Sequence, residues 1–317
     1  MHHRRLGAPG PSSGRPGRGW RQRLWAVLTG MGLALGGLAS AGAQGLPAVA
    51  DARLTPAPVQ PVAVSASPSE NANASASAEA GALFQLPTRE GVQTPVFWQA
   101  HAAARATVLL FPGGGGGFGT VTQGLPTGAN FLVRSVPHFL AQGLNVAIIG
   151  RPSDSTDLGY ADRLSPNHLQ DVAAVLAWVH ARSAAPLWLV GTSRGTVSVL
   201  AAALQWQDQG RVAGVVLSSS ILNPSKPGAL PRQDLAALRL PVLLLHHRDD
   251  ACAVCPPDAV PAALAALRQA PLKKVVWMAG GGPPRGDACG PWHRHGYIGL
   301  EREAVAQIAE WVTQPAP

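Results

Sequence analysis

Cysteine is scarce in this chain, with three in 317 residues. None lies near residues 39–43, which excludes a lipoprotein anchor there. The apolar stretch from Leu24 to Leu38 is about 15 residues long and rich in glycine, short of the roughly 20 residues of a stable membrane span. Acids are missing altogether from residues 1–23, which carry six arginines: Arg4, Arg5, Arg15, Arg18, Arg21 and Arg23. Those six account for most of the formal net charge of +8 and leave the rest of the chain at about +2. No basic patch with interleaved aromatics remains beyond them, so nucleic acid is not an expected partner. No internal repeat is visible.

What is present divides the chain into three. A basic stretch, an apolar stretch and then Ala39-Ser40-Ala41-Gly42-Ala43 follow the order of a secretory signal peptide, cleaved after Ala43. Residues 1–43 are therefore expected to be a leader, and the protein to be exported to a periplasmic or extracellular space. No stable membrane span is expected after cleavage. Residues 44–82 are rich in Ala, Pro and Ser and have too little apolar bulk to offset chain entropy, the composition of a disordered linker. Residues 83–317 are long enough to bury a sizeable core as one domain.

Within that domain strand-like and helix-like segments alternate. Val92–Gln99, Ala106–Phe111, Leu144–Ile149, Leu187–Val190, Val212–Ser218, Pro241–His246 and Lys274–Met278 have strand character. Helices are expected over Phe131–Gln142, from Ser165-Pro166 onward, from Ser193 to about Trp206, and at Pro231–Leu238, Pro261–Arg268 and Leu300–Val312. Continuous apolar strands between helices predict an α/β fold with a mostly parallel sheet covered on both faces. In such sheets the ligand site lies beyond the C-terminal strand ends.

One pentapeptide carries chemistry. Gly191-Thr192-Ser193-Arg194-Gly195 ends an apolar run and precedes Val197, Leu200, Ala201 and Leu204 at helical spacing. That context places Ser193 at a sharp strand-to-helix turn, its hydroxyl over a helix N-terminus. A serine hydroxyl is a weak nucleophile at neutral pH and needs a base, a group to orient the base, and an oxyanion pocket. Base candidates are His293 and His295, with His295 preferred because Gly296 lets the loop turn beside it. Either carboxylate of Asp249-Asp250 could orient the imidazole. The N–H groups of Arg194 and of Gly113 or Gly114, in the five-glycine run after Phe111-Pro112, are candidate oxyanion donors. The Arg194 side chain is expected to pair with a protein carboxylate such as Asp154; meeting an acidic substrate group is the other reading.

The order Ser193, Asp250, His295 behind a glycine-rich loop resembles the α/β-hydrolase family over about residues 90–315. The family pattern of a histidine, three residues and an aspartate after the seventh strand matches His246 and Asp250. It thereby favours Asp250 over Asp249. Gly-Thr-Ser-Arg-Gly, His-His-Arg-Asp-Asp-x-Cys and a late His-Gly-Tyr are similar to a branch of secreted bacterial members of undefined substrate. The chain departs from the family in having Phe111-Pro112 where a histidine usually precedes the oxyanion loop. The stretch before Asp250 is also short, which implies a small cap or none and an open site.

An exported chain meets oxidising conditions, so its cysteines should pair. Cys252 with Cys289 is the expected bond, because it would tie the Asp250 loop to the His295 loop. Cys255–Cys289 and Cys252–Cys255 are the rivals. The cluster of His246, His247, Asp249, Asp250, Cys252, Cys255, His293 and His295 matches no recognised zinc spacing, and no cofactor is expected. The resulting expectation is a serine hydrolase cleaving a small-molecule carboxylic ester through an acyl-enzyme. A catalytically idle binding module and a metal-dependent hydrolase are the alternatives.

Overall fold

The computed structural model describes residues 80–316. The expected leader and all but the last residues of the expected linker lie outside them. The first strands are β1 (Ala82–Arg89), β2 (Val92–Gln99) and β3 (Ala106–Phe111), then a two-residue hairpin of β4 (Val121–Thr122) and β5 (Leu125–Pro126). Helices α1 (Phe131–Arg134) and α2 (Val136–Ala141) lead into β6 (Leu144–Ile149), α3 (Pro166–His180), β7 (Leu187–Thr192) and α4 (Gly195–Trp206). The chain continues through β8 (Gly214–Ser218), β9 (Val242–His247), α5 (Val260–Ala266), β10 (Lys273–Met278) and α6 (Glu301–Thr313).

Eight of these strands form one sheet in the order β1-β2-β6-β3-β7-β8-β9-β10. β6, β3, β7, β8, β9 and β10 run parallel, while β1 and β2 pair antiparallel at one edge. β3, β6, β7, β8 and β9 are buried along their whole length, as strands covered on both faces must be. Alternate residues serve the two layers. Leu109 and Phe111 pack with Val172, Leu176, Val199 and Leu200 of α3 and α4. Val108 and Leu110 pack with Phe131, Val136, Phe139, Val305 and Ile308 of α1, α2 and α6. Among the described residues no helix is long and apolar enough to cross a membrane.

Three segments differ from the sequence expectation. The helix expected over Phe131–Gln142 breaks at Ser135 into α1 and α2. Pro137 has no N–H to continue the ladder, and its ring sits acceptably only in the first turn of the new helix. The helix expected at Pro231–Leu238 is two isolated 3-10 turns, Leu230–Arg232 and Leu235–Ala237. Here Asp234 accepts the Ala237 N–H and restarts the chain. β1 is unannounced by periodicity, because only Leu86 and Thr88 of its eight residues are buried. Its pairing with β2 forms it.

Between α3 and α4 lies a buried polar pair. His168 Nε2 shares a hydrogen bond with Ser198 Oγ at 2.9 Å, and burial, with Arg163 nearby, pushes the imidazole pKa down to about 3. The folded protein thus refuses a proton that the unfolded chain accepts below about pH 6.5. Stability should be unaffected by His168 above that pH. It should fall by up to about 1.4 kcal/mol per pH unit between about 6.5 and 3. Thermal melts across that range should show a shallower acid slope for His168→Gln than for the wild type. Equal slopes would contradict the assignment.

Candidate active site

Every sequence-derived site residue lies at the C-terminal edge of the parallel strands. Ser193 follows β7 and adopts φ 53°, a left-handed conformation that costs a non-glycine residue roughly 1–3 kcal/mol. The turn is held by Ser193 N–H donating to Ser218 O at 3.0 Å, and by Thr196, whose N–H and hydroxyl both donate to Ser193 O. Gly195 can only be glycine: a Cβ there would stand 1.9 Å from Phe111 O on β3. The helix therefore starts in contact with the neighbouring strand, and this lifts Ser193 above the sheet.

The glycine run after β3 is a packed turn. Gly116 N–H donates to Gly113 O at 3.1 Å, and Gly114 and Gly116 have φ of 55° and 83°. The N–H groups of Gly113, Gly114 and Arg194 donate to no protein acceptor among the described residues. Arg163 holds this loop from behind and was not singled out by sequence. It is fully buried and makes four hydrogen bonds: to Pro112 O and Gly114 O at 3.1 Å, to Leu158 O at 3.1 Å, and to Ser198 Oγ at 3.0 Å. Burial lowers its pKa to about 10, so it stays cationic at neutral pH and satisfies its charge on neutral acceptors. An isolated arginine in a polar loop gives no sequence signal of this.

Asp250 follows β9, and its carboxylate is completely enclosed. Oδ2 accepts from His295 Nδ1 at 2.8 Å and Oδ1 accepts from Cys252 N–H at 2.9 Å. Asp249 points away, with its side chain 66% exposed and Arg294 at 3.9 Å as its one ion-pair partner among the described residues. Since a carboxylate can only accept, His295 Nδ1 carries the proton and Nε2 offers a lone pair. Nε2 is buried with no hydrogen-bond partner, a costly state for a polar atom unless something is to meet it there. His293 opens the 3-10 turn Arg294–Gly296 and does not reach Asp250. Gly296 is needed for the turn because a Cβ would collide with Pro291 O at 2.1 Å.

Ser193, His295, Gly113, Gly114, Asn130, Phe131 and Cys289 line one cavity of about 220 Å³. Pockets that enclose whole drug-sized ligands usually span about 300–1,000 Å³. This one falls below that range. Residues 219–241, between β8 and β9, contain only the two 3-10 turns, so no helical cap rises from there. Asn130 was not expected at the site, because an asparagine before an apolar helix reads simply as a helix cap.

Cys252 and Cys289 are disulfide-bonded, and Cys255 is a free, buried thiol. The Cys255 thiol is pushed well above its usual pKa, by burial first and then by Asp250, with Ser193 close enough to oppose the shift. Sulfurs of Cys252 and Cys255 and a ring nitrogen of His295 lie within 4.8 Å of one another. They do not suit zinc as they stand. A sulfur bonded to Cys289 is no thiolate donor, which leaves one thiol and one imidazole, fewer protein ligands than a zinc site uses.

Arg194 meets a protein carboxylate, as expected, but Asp154 is not the one. Arg89 takes Asp154 through two hydrogen bonds of 2.8 and 3.0 Å while also gripping the buried Asp171. Arg194 instead lies 3.5 Å from Asp157 and over the Tyr160 ring.

No sequence profile of a known family matches the chain, and no curated protein sequence matches it. Solved structures do. An α/β serine hydrolase without a lid from Xanthomonas campestris is 20% identical, with a TM-score of 0.51, over 75% of this chain and 97% of its own. An esterase from Pyrococcus furiosus is 12% identical, with a TM-score of 0.54, over 75% of this chain and 91% of its own. A soluble variant of monoglyceride lipase from Saccharomyces cerevisiae is 14% identical, with a TM-score of 0.51, over 74% and 95%. At such identities the likeness concerns architecture, and it agrees with the strand order and elbow described above. This chain has the α/β-hydrolase fold.

Proposed function

We propose that the protein is an exported serine hydrolase that cleaves a small carboxylic ester. The observation that carries this reading is His295, bonded through Nδ1 to an enclosed Asp250 while its Nε2 is left unpartnered beside the Ser193 cavity. In the reaction the Ser193 hydroxyl turns to His295 Nε2 and gives up its proton as Oγ attacks the ester carbonyl. Asp250 keeps the imidazole in the required tautomer and stabilises its charged form. The N–H groups of Arg194 and of Gly113 or Gly114 receive the oxyanion. His295 then protonates the departing alcohol, and water hydrolyses the acyl-enzyme by the same path. Export is supported by the basic-apolar-small order of residues 1–43 and by the Cys252–Cys289 bond, which suits an oxidising compartment.

A fluorophosphonate probe tests the chemistry. The wild type should be labelled once per chain, with the label on the peptide containing Ser193, and chelators should make no difference. Ser193→Ala should take no label. A well-folded wild type that stays unlabelled would overturn the hydrolase reading and favour a binding module.

A further inference from the structure

Oxyanion donors in the reading above are all backbone groups, yet the cavity also contains a side-chain donor. Asn130 Oδ1 accepts the Leu132 N–H at 3.1 Å. This hydrogen bond fixes the amide's orientation, because only the oxygen can accept. Nδ2 is therefore the atom turned away from α1, and among the described residues it donates to no protein acceptor. Its position is given by the empty space at Gly113. The point where a Cβ on Gly113 would stand lies 3.3 Å from Asn130 Nδ2 and 2.9 Å from Ser193 Cβ. The amide thus faces the nucleophile across a glycine that has no side chain to intervene.

The segment carrying Asn130 is also braced. Arg134 donates to Ala129 O at 2.7 Å and to Gly296 O at 2.6 Å, and it is paired with Glu301 at 2.9 Å. One guanidinium therefore ties the residue before Asn130 to the residue after His295. Donor and base are held in a common frame before substrate arrives, which is what electrostatic stabilisation of a transition state requires.

We propose that Asn130 is a catalytic residue whose Nδ2–H donates to the oxyanion formed when Ser193 attacks; the proposal rests on the serine-hydrolase reading. In that step a bond forms between Ser193 Oγ and the carbonyl carbon. The π pair of the C=O moves onto oxygen, and the hydroxyl proton passes to His295 Nε2. The negative oxygen gains Asn130 as a donor beside the backbone N–H groups.

The test uses Asn130→Ser and Asn130→Asp. Both keep a side-chain oxygen to cap α1, and neither can donate from the Nδ2 position as a neutral amide does. With p-nitrophenyl acetate, kcat should fall about 10²–10³-fold with KM nearly unchanged, the cost of one lost oxyanion donor. Affinity for a boronic acid, whose adduct with Ser193 is tetrahedral and anionic, should fall in parallel. Thermal stability should stay close to wild type, and should one variant misfold, the other is decisive. The proposal is overturned if a folded variant keeps its kcat, or if kcat falls while boronate affinity holds. Fluorophosphonate labelling of the wild type is the control: without it the serine-hydrolase reading itself has failed, whereas labelled wild type with unimpaired variants removes only Asn130.

Discussion

Asp250→Asn is expected to lower kcat by about 10⁴-fold, while Asp249→Asn leaves it almost unchanged. Adjacent in sequence, the two carboxylates occupy opposite environments. The Asp250 side chain is wholly enclosed and bonded to His295 Nδ1, whereas Asp249 is two-thirds exposed. Asparagine at 250 fills the same volume, but its NH₂ can turn toward the imidazole and favour the tautomer with the proton on Nε2. That tautomer cannot accept the Ser193 proton. The loss should therefore fall on kcat, with KM and melting temperature little affected. Initial rates on one ester, measured for both variants at saturating substrate, settle the comparison. Equal losses in both would remove Asp250 from the role proposed for it.

Removing the Cys252–Cys289 bond should lower stability by about 3–4 kcal/mol. The bond closes a 37-residue separation, and the unfolded chain regains that loop entropy when it is absent. For a domain of this size the melting temperature should fall by about 10 °C. Activity should fall too, because Cys289 lines the Ser193 cavity and the loop it anchors carries His295. The experiment compares Cys252→Ser/Cys289→Ser with its parent by calorimetry, both in a Cys255→Ala background so that the nearby free thiol cannot reshuffle the bond. A melting temperature within about 2 °C of the parent would contradict the entropic account.

How much of this could be read from sequence depended on whether a residue's setting is local. The Ser193 turn was legible because its glycines, strand and helix are contiguous. The strands of the parallel part of the sheet were legible as apolar runs, but their order in the sheet was not. The choice between Asp249 and Asp250 was not legible from the residues themselves. Only the family pattern preferred one, and burial in three dimensions separates them. Asn130 and Arg163 gave no signal, since each meets its partners across long stretches of chain: Asn130 beside Gly113, Arg163 against Pro112, Gly114 and Ser198. The break at Ser135 could have been read from Pro137, but the helical spacing of Phe131, Leu132, Val136 and Phe139 hid it. Arg194 was matched to the wrong aspartate because Arg89, at the end of a strand that periodicity did not announce, already held Asp154.

The two edges of the sheet bear on how copies of the protein behave when crowded. A free edge strand offers unpaired backbone groups to any other chain. β1 meets that hazard with Pro87, which has no N–H to give, and with a register break between Pro87 and Arg89. Arg89 itself is paired with Asp154 and Asp171, so a cluster of charged groups stays near that edge. At the far edge β10 opens with Lys273, whose ammonium is tied to Leu267 O at 2.7 Å, and Lys274, so that edge also begins with charged side chains. Both ends of the sheet thus resist strand-by-strand growth into aggregates.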